Sequence, residues 1–394
     1  MKDSGIEWIG EVPEEWGITK LKYICRMQSG NNLTSLEISS ENDGGKIFPV
    51  YGGNGQRGYY SDFTNEGNYC LVGRQGALAG NVHFVSGKFW ATDHAIVVYE
   101  HTHAYSKYLC YLLKAMNLNQ YAFETSAQPG LSVEKILQLE MIHCPKGEQT
   151  QIADFLDKKV AQLDEVKSLL EEQIKTLEDY RQSLIYETVT KGLDKTVPLK
   201  DSGVDWIGQI PEGWEVKKHK YIMSKTKTLC SHYSGQKILS LTRQGVISRD
   251  VESGKGKMPA SFDGYQFLTR GDLLLCLFDI DVTPRCVGVV ESDGLTSPAY
   301  SRFKVSEDSS VYYYYYLFLS MDDDKVLLHL AKNLRNSLTE DDFGDIETIV
   351  PSYEEQVIIA NYLNKKTLLI DKLIKLKKEQ IENINKQRQT LIYD

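Results

Sequence analysis

No stretch of this sequence stays apolar for the roughly 20 residues that a membrane-spanning helix needs. Its start, MKDSGIEW, lacks a charged segment followed by an apolar one, so no export signal is expected. There is no CxxC pair, and the seven cysteines, an odd number, lie scattered. That pattern fits reduced thiols in a cytoplasm better than a disulfide framework. These absences predict a cytoplasmic protein with no membrane partner. What is present reads as globular, with 41% hydrophobic and 25% charged residues. At 394 residues the chain is too long for one ordinary core, and two domains are expected. The net charge of −9 argues mildly against nucleic acid, but the charge on a binding face matters more than the total.

A catalytic constellation is missing too. Gly53, Gly55 and Gly58 in GNGQRG match GxGxxG. A dinucleotide site needs a helix next, whose N-terminus faces the pyrophosphate. The next residues, YYSDFTNEGNYC, are poor helix formers, so a glycine-rich surface loop is expected. SPAY (297–300) resembles the Asn/Asp-Pro-Pro-aromatic tetrapeptide of amino-methyltransferases but lacks the second Pro and the acidic or amide residue. His101 and His103 form an HxH near Cys110 without a second ligand cluster, so no metal is expected. Asp93-His94 has no Ser or Cys in a nucleophile context. Asp322, Asp323 and Asp324 read as a solvated helix edge. With no catalytic residue, cofactor or metal expected, the chain reads as a binding protein.

Its opening is written twice. DSGIEWIGEVPEEW at Asp3 returns as DSGVDWIGQIPEGW at Asp201, and 3–24 against 201–222 gives 13 identities in 22 positions. Residues 148–186 begin EQTQIADFLDKK and end RQSLIY; residues 355–393 begin EQVIIANYLNKK and end RQTLIY, with 17 identities in 39 positions. The chain is therefore two copies of one plan. The middles, 25–130 and 223–337, barely match, apart from YLLKAM (111–116) against YLFLSM (316–321).

The closing segments are long helices. Leu156, Leu163, Leu170, Leu177 and Leu184 recur every seventh place, and Val160 and Ile174 add to an a/d seam. The second copy sets Leu363, Ile370, Ile384 and Leu391 at the same phase, with Ile374 and Ile381 between. No Pro or Gly interrupts either, and each would run about 58 Å at roughly 1.5 Å per residue. Such a stripe needs a partner. The matching phase predicts that the two helices pair as a coiled coil. The middles, rich in β-branched and aromatic residues with frequent Gly, read as strands and loops, with short helices at 105–118 and 311–330. The tyrosines at 312–316 are expected on a helix packed between sheet and solvent. Each copy is thus an α+β globule on a long helix.

Local charge then becomes informative. Between 217 and 257 there are ten Lys/Arg and only two acids. The ten are Lys217, Lys218, Lys220, Lys225, Lys227, Lys237, Arg243, Arg249, Lys255 and Lys257. Thr242, Gln244 and Ser248, able to read base edges, lie among them. Phosphate anchors mixed with base readers are what a DNA-binding face needs. In the first copy the candidates are Arg57, Arg74 and Lys88 with Asn54, Gln56 and Gln75. A merely solvated basic face would look the same.

This layout resembles the specificity subunit of type I restriction–modification systems. The resemblance rests on two unlike globules alternating with two helical segments that open on EQ…IA…L and close on LIY, and on the twice-written DSG…WIG…P…W. It spans essentially the whole chain. It implies an α+β fold with two target-recognition domains related by a pseudo-twofold axis and joined by an antiparallel coiled coil. The division would be 1–147 and 191–353 for the domains, with 148–190 (the first helix and the start of a linker) and 354–394 for the helices. It implies double-stranded DNA as ligand, each domain reading half of a bipartite asymmetric site. It further implies two methyltransferase subunits as partners, with restriction/motor subunits joining through them. Catalysis, including DNA adenine methylation, with AdoMet, ATP and Mg²⁺, would belong to those partners. In that frame the unlike middles read unlike half-sites. The alternative is a coiled-coil adaptor binding proteins rather than DNA. One departure is that the first copy continues past LIY as ETVTKGLDKTVPLK while the second reads LIYD. If the copies are twofold-related, Asp3 and Tyr393 should stand as close as Asp201 and Tyr186, which a linker at 187–200 joins.

Overall fold

The computed structural model describes all residues except 77, 102–103, 123–129, 252–258, 260, 332–335 and 394. Lys255, Lys257 and His103 lie outside the described residues. By contacts the chain forms two compact units, Met1–Leu170 with Glu379–Asp394, and Glu171–Lys378.

The first unit holds a six-stranded sheet. Its order is Cys25–Ser29, Ala95–Glu100, Asn65–Gly73, Val82–Ala91, Phe48–Gly52, Gly55–Tyr60, antiparallel except where Phe48–Gly52 runs parallel to Val82–Ala91. Side chains alternate across a strand. Cys70 and Val72 therefore join the core under the helix Ser106–Ala115, while Leu71 packs on the opposite face with Val85, Phe89 and Val97. With both faces covered, the end of this strand reads as an unbroken apolar run. The second unit repeats the logic with a shorter sheet, Met223–Lys225, Ser301–Val305, Leu273–Leu275, Val287–Val289. Leu273 and Leu275 face one cluster and Leu274 the other.

The duplicated phrases turn out to be joints. In DSG, the Asp3 carboxylate accepts from Gly5 N–H at 2.9 Å and the Ser4 hydroxyl from Ile6 N–H at 3.1 Å; Asp201 and Ser202 do the same at 3.0 and 3.1 Å. Gly5 and Gly203 sit at φ +66° and +74°, a conformation glycine takes without penalty. The Trp16 indole donates to Glu148 at 2.7 Å, and Trp214 to Glu355 at 3.3 Å. The next residue of each EQ pair is a buried clamp. Gln149 donates to Cys144 O and accepts from Tyr105 N–H; Gln356 donates to Pro351 O and accepts from Ser310 N–H, all at 2.8–2.9 Å. Thus the repeated residues fasten each sheet-bearing segment to the start of its own helix.

The long helices are Lys146–Lys191 and Tyr353–Tyr393. The expected seam faces inward: Leu156, Leu363, Ile370, Ile374 and Ile384 are buried, and Val160, Leu163, Leu170, Ile174, Leu177, Leu184, Ile381 and Leu391 half-buried. In the second unit Lys377 Nζ meets Gln173 Oε1 at 2.5 Å and Arg181 meets Asp371 at 3.7 Å, so the helices run antiparallel. In the first unit Arg388 meets Asp164 at 3.6 Å.

Four expectations are corrected. The first helix continues past 186 to Lys191, because ETVTK holds no breaker, and Gly192 at φ +70° ends it. Helix 311–330 is two helices, Val311–Asp323 and Val326–Leu330, divided at Lys325 in the left-handed region. GNGQRG is a β-hairpin rather than a loop; a strand comes after the glycines where a dinucleotide site needs a helix. Asp322 is no solvated edge: it is 4% exposed and accepts from Cys286 N–H at 2.7 Å. The tyrosines do lie on a helix, with Tyr313, Tyr314 and Tyr316 buried and Tyr312 and Tyr315 half-buried.

Candidate nucleic-acid interface

In the first unit the backbones around Gly53 and Gly73 approach so closely that a Cβ on Gly73 would lie 2.5 Å from Gly53 O. Glycine at both places lets the hairpin tip Gly53–Asn54, the loop after Gly73 and the turn at His94 meet. They line an open cleft of about 410 Å³ holding Asn54, Gln56, Arg57 and Gln75. None of the described residues lining it is acidic. Arg57 Nη2 lies 3.4 Å from Ser35 Oγ. Arg74 is half-buried in the frame: its N–H donates to His94 O and its guanidinium reaches Asp93 O. Lys88 stands apart. It pairs with Glu66 at 3.8 Å and covers the Phe63 ring. The strand separates it by five residues, about 17 Å, from His83 beside the hairpin turn. Sequence reasoning passed over His83 and weighed His94 only as part of a catalytic pair with Asp93. His83 lies against Gly55, and burial, then the Lys114 charge, hold its pKa below the usual value.

In the second unit another hairpin, Leu239–Thr242 with Gly245–Ser248, carries Arg243 and Gln244 at its two-residue tip. Thr242 is used up closing the turn: its hydroxyl donates to Gly245 O at 3.0 Å and accepts from Gln244 N–H at 3.1 Å. Arg243 and Gln244 line a cleft of about 610 Å³ with Arg181, Arg285, Glu291 and Tyr312. Among the described residues neither Arg243 nor Arg285 forms an ion pair, whereas Arg181 meets Asp371. Arg285 gave no signal in sequence, standing alone in TPRC.

Much of the basic run has acidic company. Lys217 pairs with Glu215 at 2.6 Å, Lys218 and Lys220 with Asp345 at 3.1 and 2.8 Å, and Lys225 with Glu340. The Lys220 hydrogen bond, then that of Lys218, holds the Asp345 carboxyl below its usual range. The acids at 340 and 345 come from the capped helix Glu340–Asp345, distant in sequence. Lys227 donates to Pro298 O at 3.2 Å, and Arg249 N–H to Ile238 O. The run is thus less cationic in space than in sequence; Arg243 stands out within it, and Arg285, from outside the run, lines the same cleft.

Comparison with known proteins agrees with this architecture. Residues 13–177 match the family model described as Type I restriction modification DNA specificity domain. The EcoprrI specificity subunit of Escherichia coli is 41% identical over 138 residues, 35% of this chain and 34% of that protein. This chain thus spans about a third of that relative's length. The putative MjaX specificity subunit of Methanocaldococcus jannaschii is 22% identical across 98% of this chain and 93% of its own. Among solved structures, one from work on the assembly and conformational transition of the type I R-M system superposes with TM-score 0.67 at 15% identity, over 97% of both chains. The HsdS subunit of Thermoanaerobacter tengcongensis gives 0.52 at 14% identity, over 99% and 98%. The fold is the HsdS fold, two α+β units on paired long helices. Over residues 13–177 the chain is similar to type I restriction–modification DNA specificity domains, and across nearly its whole length it shares the fold of solved HsdS subunits.

Proposed function

We propose that this chain is the non-catalytic subunit that chooses the DNA sequence in a type I restriction–modification complex. Each unit reads one half of a bipartite, asymmetric site, and the antiparallel helices set the spacing. The observation that carries this reading is a constant joint holding unlike readers. Both copies keep the Trp–Glu bond and the glutamine clamp. The hairpins differ, with Gly53–Asn54 at one tip and Arg243–Gln244 at the other. Two different half-sites demand that combination. The domains would be 1–147 and 191–353, carried on helices 148–190 and 354–394.

The helices also suggest where methyltransferase subunits bind. Val166 and Leu169 in one unit are 46% and 50% exposed, and their repeat counterparts Leu373 and Leu376 are 40% and 47% exposed. An apolar pair facing water in both copies supports two copies of one partner, with restriction/motor subunits joining through it. AdoMet, ATP and Mg²⁺ belong to those partners in this reading.

The test is an exchange of residues 223–337 for the matching part of a relative, with methylome sequencing as the readout. One half of the target should change and the other stay. A change in both halves, or in neither, would sink the reading. Arg243→Ala should weaken binding to the duplex, by about 1–3 kcal/mol at one base pair if it reads a base. An adaptor that binds only proteins would show no salt-sensitive duplex binding at all.

A further inference from the structure

Not every repeated residue of the opening phrase serves a joint. Lys22-Tyr23 returns as Lys220-Tyr221 near the end of the duplicated stretch. Each pair lies in one short 3₁₀ turn, Leu21–Tyr23 or His219–Tyr221. Such a turn has three residues, so positions 21 and 24 share a face. That face is the core side: Leu21 and Ile24 are buried, and so are His219 and Ile222. The lysine and the tyrosine are thereby turned outward. Tyr23 is 66% exposed and Tyr221 71%, whereas the tryptophans of the same phrase are buried or half-buried.

The placement of the pair is repeated as well. Lys22 Nζ stands 5.1 Å from the centre of the Tyr23 ring and donates to Gln138 Oε1 at 3.3 Å. Lys220 Nζ stands 5.6 Å from the Tyr221 ring and donates to Asp345 Oδ1 at 2.8 Å. Gln138 and Asp345 hold matching places, each just before the residue whose carbonyl accepts the N–H of Leu21 or His219. Each unit thus shows water one tyrosine ring with an ammonium fixed over it. Such a ring adds little to its own core, and tyrosine is among the residues that carry most of the energy of protein–protein binding.

Charge decides between DNA and protein as the occupant. In the first unit Lys20 and Lys22 have one acid beside them, Glu140, which faces Lys20 across the strand pair. In the second, Asp345 meets both Lys218 and Lys220, and Glu347 faces Lys218. Binding to phosphates rests on net positive charge, so a phosphate contact built twice would keep that charge twice. Here the ring is kept and the charge is not. In the first unit, moreover, the turn lies at the far end of strand Cys25–Ser29 from the cleft of Asn54 and Gln75. The near end is fixed by Gly30, whose N–H donates to Ala95 O beside His94. Five strand residues, about 17 Å, lie between.

We infer that each Lys–Tyr pair is a docking point for a methyltransferase subunit, one per unit. The same surface shown twice fits two copies of one protein. The partner lays an apolar side chain on the open part of the ring and offers an acceptor to the ammonium, which has donors to spare. The inference rests on the proposed function. To the apolar pairs on the helices it adds a contact on the globular part of each unit.

The test titrates the full chain with the purified methyltransferase subunit of its own system, followed by calorimetry and native mass spectrometry. The unaltered chain should take up two copies. Tyr23→Ser should weaken one of the two sites by about tenfold or more and spare the other. Tyr221→Ser should do the same, and the double variant should weaken both. Tyr23→Phe keeps the ring and should bind within about threefold of the unaltered chain. Melting temperatures should stay within about 2 °C, since neither ring is packed in the core. If the double Ser variant takes up both copies unchanged, or one substitution weakens both sites alike, the docking points are refuted while the proposed function stands. If the double variant instead loses duplex affinity equally for all sequences, with a shallower salt dependence, the occupant is the DNA backbone and the inference is wrong. An unaltered chain that takes up no methyltransferase subunit overturns the proposed function, and this inference with it.

Discussion

At the scale of single residues, the clamps on the long helices are where stability should be most sensitive. Gln356 is 1% exposed and satisfies both Pro351 O and Ser310 N–H. Gln356→Ala leaves both groups buried without partners, at about 1–3 kcal/mol each. A urea titration should show the loss; a shift below about 0.5 kcal/mol would mean water replaces the amide easily. His219 gives a pH signature. It is fully buried against Phe318 and Phe343, donates from Nδ1 to Phe343 O at 2.9 Å, and burial pushes its pKa down to about 3. The unfolded chain takes up a proton near pH 6.5 that the folded chain refuses, so stability falls as pH drops from 6.5 toward 3, by about 1.4 kcal/mol per unit. Urea midpoints at pH 7.5 and 5.5 should differ accordingly, and His219→Asn should remove that part of the difference. Much at this scale was invisible in sequence. Trp16 and Glu148 are both written twice, yet nothing local says that residues 132 apart touch. The lysines at 218 and 220 looked unopposed because their acid, Asp345, lies more than 120 residues away.

The long helices were the most legible elements, because a seven-residue period is a local property. Their seam was read only through its apolar members, however. Lys167, Arg181, Thr367, Lys377 and Arg388 occupy seam places too, half-buried or buried, and a hydrophobicity pattern skips them. Element ends were less legible. The break at Lys325 needs a left-handed residue that is not glycine, which no propensity announces. The outward pairs give the prediction at this scale. Leu169→Glu with Leu376→Glu alters side chains that are already about half exposed. The variant should therefore keep its melting temperature to within a few degrees while losing co-purification with a methyltransferase subunit. Retention of the complex would move the docking surface elsewhere.

For the molecule as a whole, the repeat made the α+β class and the two-part plan legible, whereas the sheet orders were not. Strands such as Cys25–Ser29 and Ala95–Glu100 pair across some 70 residues, and no sequence pattern fixes which strand lies beside which. The expectation about the chain ends can be read directly, since Met1 and Ile392 line the same cleft of the first unit. A chain closed by a linker of the ETVTKGLDKTVPLK kind from Tyr393 to Asp3, and reopened within 192–198, should fold and keep its DNA specificity. The reopening lies beyond Lys191 so that the seated helix turn stays whole. A permutant that is insoluble, or whose far-ultraviolet spectrum loses helix, would refute this circular arrangement.

The glutamine clamps have one more consequence, for heredity. What Gln149 and Gln356 grip in the divergent middles is backbone: the N–H of Tyr105 in one copy and of Ser310 in the other. Every amino acid but proline offers that group. A genetic crossover inside the repeated helix-coding stretches can therefore deliver a foreign middle, and the clamp will hold it without having met its side chains before. If the middles are the half-site readers proposed above, new specificities can arise by shuffling them whole, with no mutation needed at the joint that receives them.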